Sequence, residues 1–221
     1  MVKPMEASLD QPAARSRGRR RNRVSGDDRE RAIFKSAERL LEERPLSEIS
    51  VDDIAKGAGI SRPTFYFYFP SKDAVVLTIV ERIIPAETRR SREEAVALLE
   101  KDPREGLKQA LSGLYGAISS HKAVAMAAAE LRATNQEARD LWGRIMEEWV
   151  SIVAAIIEAE RARGSIPKGV PARDLAIALV QMNERVQQST LAGESPSIPD
   201  DRVIDVLVDI WMGAIFGPSR S

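Results

Sequence analysis

The stretch that most constrains this chain is residues 50–72, SVDDIAKGAGISRPTFYFYFPSK. It reads as two short helices joined by a tight turn. Ser50 is placed to cap the first helix, with its hydroxyl accepting from the amide of Asp53 and Asp53 returning the bond. Val51, Ile54, Ala55 and Ala58 recur at helical spacing and form one buried stripe. Gly59 falls where the chain reverses, in a left-handed conformation that glycine enters without a side-chain clash. Ile60 fills the angle between the helices. Ser61 caps the second helix, and Pro63 lies in its first turn, where a missing amide costs little. In that helix Arg62, Thr64, Tyr66 and Tyr68 are expected to face outward. Phe65, Phe67 and Phe69, which alternate with them, are expected to turn inward.

This is the pattern of a helix-turn-helix. A short second helix that opens on small and basic donors, with a hydroxyl-rich outer face, suits the major groove of DNA. An ordinary helical hairpin with an aromatic core accounts for the same local pattern.

The chain order of Ile54-Ala55, Ala58-Gly59-Ile60-Ser61, Thr64-Phe65-Tyr66, Tyr68-Phe69 and Ser71-Lys72-Asp73-Ala74 resembles the signature of the TetR family of transcriptional regulators. Arg62-Pro63 departs from the family's usual basic-Gly or Pro-Gly pair but matches one branch of repressors. SGDDRE (residues 25–30), SHKAV (residues 120–124) and MNER (residues 182–185) point to that same branch, and the likeness runs over nearly the whole chain after residue 24. The resemblance implies an all-α fold with a three-helix DNA-binding head and a larger helical body, in which double-stranded operator DNA and a small hydrophobic effector are the partners. Within it, Arg62, Thr64 and Tyr66 are expected to contact the groove. Ser50, Tyr68 and Lys72 are expected to contact phosphates, which position the protein without specifying sequence.

Charge is distributed rather than in excess. Lysine and arginine equal aspartate and glutamate at 33 each, yet residues 1–26 hold seven basic residues against two acidic. Such an arm suits a polyanion. Arg19, Arg20 and Arg21 are its centre, and they are expected to lie along phosphates or the minor groove. With few large apolar residues, the arm is expected to be disordered when free. A solubilising tail would have the same composition.

The remaining pattern is helical. Residues 27–44 carry a stripe of Ile33, Ala37, Leu40 and Leu41, with an acidic first turn that suits the helix dipole. Pro70 ends the recognition helix and Ser71 caps the next, which runs from Lys72 to about residue 101 with a kink at Pro85. Asp102 and Pro103 open another helix, and residues 121–132 form a short alanine-rich one. Thr134 to Glu137 reads as a capping box for a long helix to about residue 163. The last two helices, about residues 171–193 and 199–216, are apolar over faces wider than one core needs. They are expected to pair with a second copy as a four-helix bundle, as the resemblance also implies. That makes about nine helices and no sheet. The division is a basic arm (1–26), a DNA-binding domain (27–72) and an effector-binding and dimerisation domain (73–221).

Leu111, Leu114, Tyr115, Trp142, Met146, Trp149 and Trp211 are apolar residues that suit either a plain core or an elongated cavity, with Asn183 as a polar handle. The resemblance implies a cavity, because Trp142, Trp149, Asn183 and Trp211 match effector-pocket positions. Leu107 and Val180 stand where that branch carries a tryptophan and an asparagine, so this pocket is expected to differ in shape and hydrogen bonding. Ligand in the cavity would move the helix from Lys72 as a pendulum and change the spacing of the two recognition helices.

An enzyme is not expected. The chain has one histidine, His121, and no cysteine, and it carries no nucleophile elbow or phosphate-binding glycine motif. No cofactor or metal is expected either. A helical ligand carrier with a vestigial head is the remaining alternative. No apolar run reaches the roughly 18 residues of a membrane span, and no signal peptide is recognisable, so a cytoplasmic location is expected.

Overall fold

The computed structural model describes residues 26–99, 101–166 and 168–217. The basic arm, with Arg19, Arg20 and Arg21, lies outside the described residues. All regular structure among the described residues is helical. α1 (Gly26–Glu43) is followed by a 3-10 turn at Leu46–Glu48, then α2 (Val51–Gly57), α3 (Arg62–Tyr68) and α4 (Lys72–Thr78). A π turn at Ile79–Ile83 leads into α5 (Ile84–Leu99). α6 (Pro103–Ser120), α7 (Lys122–Thr134), α8 (Gln136–Ala162), α9 (Ala172–Ala192) and α10 (Val203–Phe216) complete the chain.

The sequence suggests about nine helices, and the described residues form ten α-helices because the helix from Lys72 is interrupted. In the π turn the amide of Ile84 donates to the carbonyl of Ile79, five residues back rather than four. The interruption precedes Pro85, which consequently sits in the first turn of α5, where its missing amide costs little. The cap of α8 also differs from expectation. Asn135, not Thr134, is the N-cap and accepts from the amide of Ala138, while Thr134 is the last residue of α7.

Two hydrophobic cores organise the molecule. The first joins α1 to α4 and the π turn with α7 and the start of α8. Ile33, Ile54, Phe65, Val75, Val76 and Ile79 are its most deeply buried members, with Val124 from α7 and Leu141 from α8 completing it. The second joins α6, the rest of α8, α9 and α10 around Leu111, Ile157, Leu179, Leu207 and Val208. α5 packs along α6 where Gly106 permits close approach: a Cβ at that position would stand 2.6 Å from the backbone nitrogen of Leu99.

His121, between α6 and α7, ties three segments together. Its Nδ1 lies 2.5 Å from Glu38 Oε1 on α1, and its Nε2 lies 3.0 Å from Glu87 Oε2 on α5. Burial alone pushes the imidazole down, but the hydrogen bonds and charges of Glu87 and Glu38 outweigh it. The net pKa is raised above the ordinary 6.5. A group raised on folding adds stability that is full below its unfolded value and is lost as pH rises through its folded value. The urea midpoint is therefore expected to fall as pH rises from below 6.5, and His121→Gln is expected to flatten that dependence. An unchanged slope in the variant would remove His121 as its source.

Candidate nucleic-acid interface and effector region

The turn between α2 and α3 forms as its residues dictate. Ser50 Oγ accepts from the amide of Asp53 at 3.1 Å, and Asp53 Oδ2 accepts from the amide of Ser50 at 2.9 Å. The bonds the Asp53 carboxylate accepts from the Ser50 amide and, at 2.8 Å, from the Ser50 hydroxyl hold it below its ordinary value, with Arg44 adding to the effect. Gly59 has φ +69°, as the reversal requires. Ser61 accepts from the amide of Thr64, and Pro63 sits in the first turn of α3.

The outer face of α3 differs from the expected alternation. An α-helix turns by about 100° per residue, so a step of two crosses to the opposite side rather than returning to the same one. Phe65 is fully buried and Phe69 nearly so, packed at 6.1 Å between ring centroids. Phe67 between them points the other way and is 82% exposed. The outer face is thus Arg62, Pro63, Tyr66 and Phe67, with Thr64 and Tyr68 half-buried at its margin.

The Arg62 guanidinium donates to Asp52 at 2.9 Å and to the Tyr66 hydroxyl at 3.4 Å. It lies across the Tyr66 ring at 5.7 Å from its centroid. With five donors in all, Arg62 keeps others for a ligand. The Thr64 hydroxyl pairs with that of Ser61 at 2.8 Å. Lys72 turns inward: its ammonium donates to the carbonyls of Leu46 at 2.6 Å and Ile49 at 2.7 Å, stapling α4 to the strand of chain before α2.

In the body, Leu107, Leu111, Tyr115, Val180 and Trp211 are buried in the second core, with Met146 and Trp149 packed against them. Leu114 and Trp142 are half-buried. The Arg132 guanidinium covers the Trp142 ring at 4.3 Å, and that of Arg92 approaches the Trp149 ring at 6.0 Å. The Tyr115 hydroxyl donates to Asp200 at 2.5 Å, and burial together with that bond raises its pKa. Asn183 (7% exposed) and Gln187 (3% exposed) are buried one turn apart on α9. Asn183 Oδ1, Gln187 Nε2 and Trp211 Nε1 are buried without a hydrogen-bond partner. Such groups are costly unless something satisfies them. Gln187 was not singled out from sequence. Its polarity hid it from a search for apolar periodicity, and its four-residue spacing from Asn183 is the signal that would have found it.

Two surface grooves lie elsewhere. The larger, about 620 Å³, runs between α1 and the α6–α7 junction beside Leu41, Pro45, His121 and Met126. The smaller, about 180 Å³, lies beside Lys72 and Leu131.

Comparison with known proteins decides what this architecture is. Residues 33–79 match the family described as bacterial regulatory proteins, tetR family, and residues 107–217 match the C-terminal domain of the transcriptional regulator EthR. The chain is 48% identical over 216 residues to the HTH-type transcriptional regulator EthR of Mycobacterium tuberculosis (strain H37Rv), covering 98% of this chain and 100% of that one. This chain belongs to the TetR family. Its likeness to the EthR of Mycolicibacterium smegmatis is 44% over 201 residues, covering 91% of this chain and 92% of the relative. Among solved structures, Thermus thermophilus FadR, a TetR-family repressor in complex with lauroyl-CoA, aligns with a TM-score of 0.59 at 22% identity. The alignment covers 87% of this chain and 96% of FadR. TetR-family relatives are named as transcriptional regulators rather than enzymes, and this protein is a DNA-binding transcriptional regulator of the same kind. No helix among the described residues is long and apolar enough to cross a membrane.

Proposed function

We propose that this regulator is a repressor that binds a palindromic operator as a homodimer and is released by a small, largely apolar effector held among α6, α8, α9 and α10. The observation that carries the effector reading is the trio of buried, unpartnered polar atoms on Asn183, Gln187 and Trp211 within an otherwise apolar core. A ligand with an apolar body and one polar group would satisfy them while filling space between the helices. The side chains of this region pack against one another here, so entry requires the helices to part. An effector then favours the parted state only by its differential affinity for it. α5 leads from the body to the head and would carry the change to the recognition helices.

Dimerisation follows from α9 and α10. Leu175, Met182 and Val186 form a second apolar row on α9 that is only half-buried in one chain, and Ile210 on α10 is 42% exposed. A second copy laid on this face would cover that row and Ile210 and set two α3 helices one or more DNA turns, roughly 34 Å each, apart. Residues 27–72 would then read the operator and residues 73–221 would bind the effector and the second copy. Arg62, Thr64 and Tyr66 would face the groove, and Ser50 and Tyr68 the phosphates, with Lys72 bracing the turn behind them through its bonds to Leu46 and Ile49. Arg19, Arg20 and Arg21 would follow neighbouring phosphates.

Footprinting on the DNA upstream of the protein's own gene and its neighbours, at fixed salt, tests this reading. A protected palindrome is expected. Arg62→Ala is expected to weaken binding by about 1–3 kcal/mol and to relax discrimination at the bases it meets. Removing the basic arm is expected to weaken all sites alike and reduce the salt dependence. Binding that merely tracks salt, with no protected site, would reject an operator-specific repressor.

A further inference from the structure

We infer that Phe67 reads operator sequence by meeting the 5-methyl group of thymine in the major groove; this rests on the head binding an operator through α3. Phe67 is the most exposed large apolar side chain among the described residues, at 82%. Two steps of about 100° from buried Phe65 set it opposite the core, while Phe69, the extended C-cap, is also buried. It is therefore the large apolar side chain of α3 that stands clear of the core, on the surface this helix presents.

Its neighbours fit the same role. Pro63, four residues earlier, is exposed on the same side of α3 and extends the apolar strip. Arg62 and Tyr66 flank that strip, and the bond and ring contact between them leave the Phe67 side open. The Phe67 ring stands edge-on to half-buried Tyr68, with centroids 5.3 Å apart, which fixes the ring from behind without covering it. A seven-residue helix is about 10 Å long, and the major groove is about 12 Å wide, so both ends of α3 are within reach of base edges.

The chemistry narrows the target. A phenylalanine has no donor or acceptor, so it cannot distinguish the polar edges of bases and gains nothing from a phosphate. The apolar group that the major groove displays is the thymine methyl, and aromatic contact with it separates T·A from the other pairs. Phe67 would thus add an apolar reading to the polar one supplied by Arg62.

Thymine-to-uracil scanning tests this, because the exchange removes the methyl group and leaves the pairing intact. Once a protected site is found, each thymine in a duplex carrying that site is replaced singly. Dissociation constants are then measured for the parent protein, Phe67→Ala and Phe67→Leu, with helical content checked by circular dichroism. At one thymine in each half-site, uracil is expected to weaken the parent by about fourfold, the worth of burying one methylene-sized group. Phe67→Ala should bind the unsubstituted duplex more weakly and be indifferent to that uracil, while Phe67→Leu should keep part of the sensitivity. An equal uracil penalty in parent and Phe67→Ala, or none at any thymine, would overturn the inference while leaving the operator reading intact. No protected site with the parent protein would overturn both.

Discussion

Phe65→Ala is expected to destabilise the protein by about 3–5 kcal/mol, the usual cost of emptying a phenylalanine site in a packed core. Phe65 is fully buried and packs on Phe69, which in turn meets Phe34 of α1 at 5.5 Å. The core it belongs to runs on through Val75, Val76 and Ile79 to Val124 of α7 and Leu141 of α8. The void would therefore open inside the DNA-binding head, where α3 packs on α2 and, through Phe69, on α1, and operator binding should fail together with stability. With typical stabilities of about 5–15 kcal/mol, the loss is a large fraction of the whole. Urea unfolding at fixed pH measures it, and Phe67→Ala, two residues away, is the control. That ring is on the surface, so its removal is expected to change stability by no more than about 0.5 kcal/mol. Comparable losses in the two variants would contradict the orientation of α3 described above.

Gly106→Ala is expected to be the second-largest effect, with destabilisation of about 1–3 kcal/mol from overpacking. Alanine is ordinarily the better helix former by about 1 kcal/mol, so the sign depends on which effect wins. Here the clash wins. The new Cβ would meet the nitrogen of Leu99 at 2.6 Å, its Cα at 2.9 Å and the carbonyl oxygen of Ala95 at 3.0 Å, all of them backbone atoms that no rotamer change can clear. α5 would have to move off α6. In a chain of this size each 1 kcal/mol lowers the melting temperature by about 2–4 °C. Because α5 leads to the head, a weaker or altered footprint should accompany the drop. A melting temperature equal to or above the parent's would show that α5 and α6 are not in backbone contact at this point.

Local chemistry made much of the DNA-binding head legible. The reciprocal Ser50–Asp53 bonds, the Ser61 and Ser71 caps and the left-handed Gly59 each depend on residues within a few positions of one another. Asp102 was legible for the same reason, accepting from the amides of Arg104 and Glu105. The misreadings have equally definite causes. Alternating aromatics in α3 suggested a period of two, whereas the helix imposes 3.6, and so Phe67 was sent to the wrong side. On α9 the spacing of Leu175, Ala178, Leu179, Met182, Val186 and Thr190 suggests one apolar stripe, of which only Leu179 lies on the face buried within the chain. The buried face passes through Ala176, Leu179, Asn183 and Gln187, and two amides disguise it. Lys72 sits at a helix start, as a phosphate ligand would, yet its ammonium satisfies two carbonyls more than twenty residues away in sequence. Pairings of that range leave no periodic trace.

The π turn at Ile79–Ile83 sets how the two ends of the molecule are geared. Val76, Val80, Ile84 and Thr88 are all buried, and each is four residues after the last. In an uninterrupted α-helix every such step overshoots a full turn by about 40°, so over three steps the buried line would wind about 120° around the rod. One wider turn takes up part of that excess and lets the line stay facing its neighbours as it passes from the first core to the groove along α6. The number of residues between the recognition helix and α6 therefore acts like a count of gear teeth. It fixes the angle between the head and the body, and a change in the winding of a single turn is a rotation of everything beyond it.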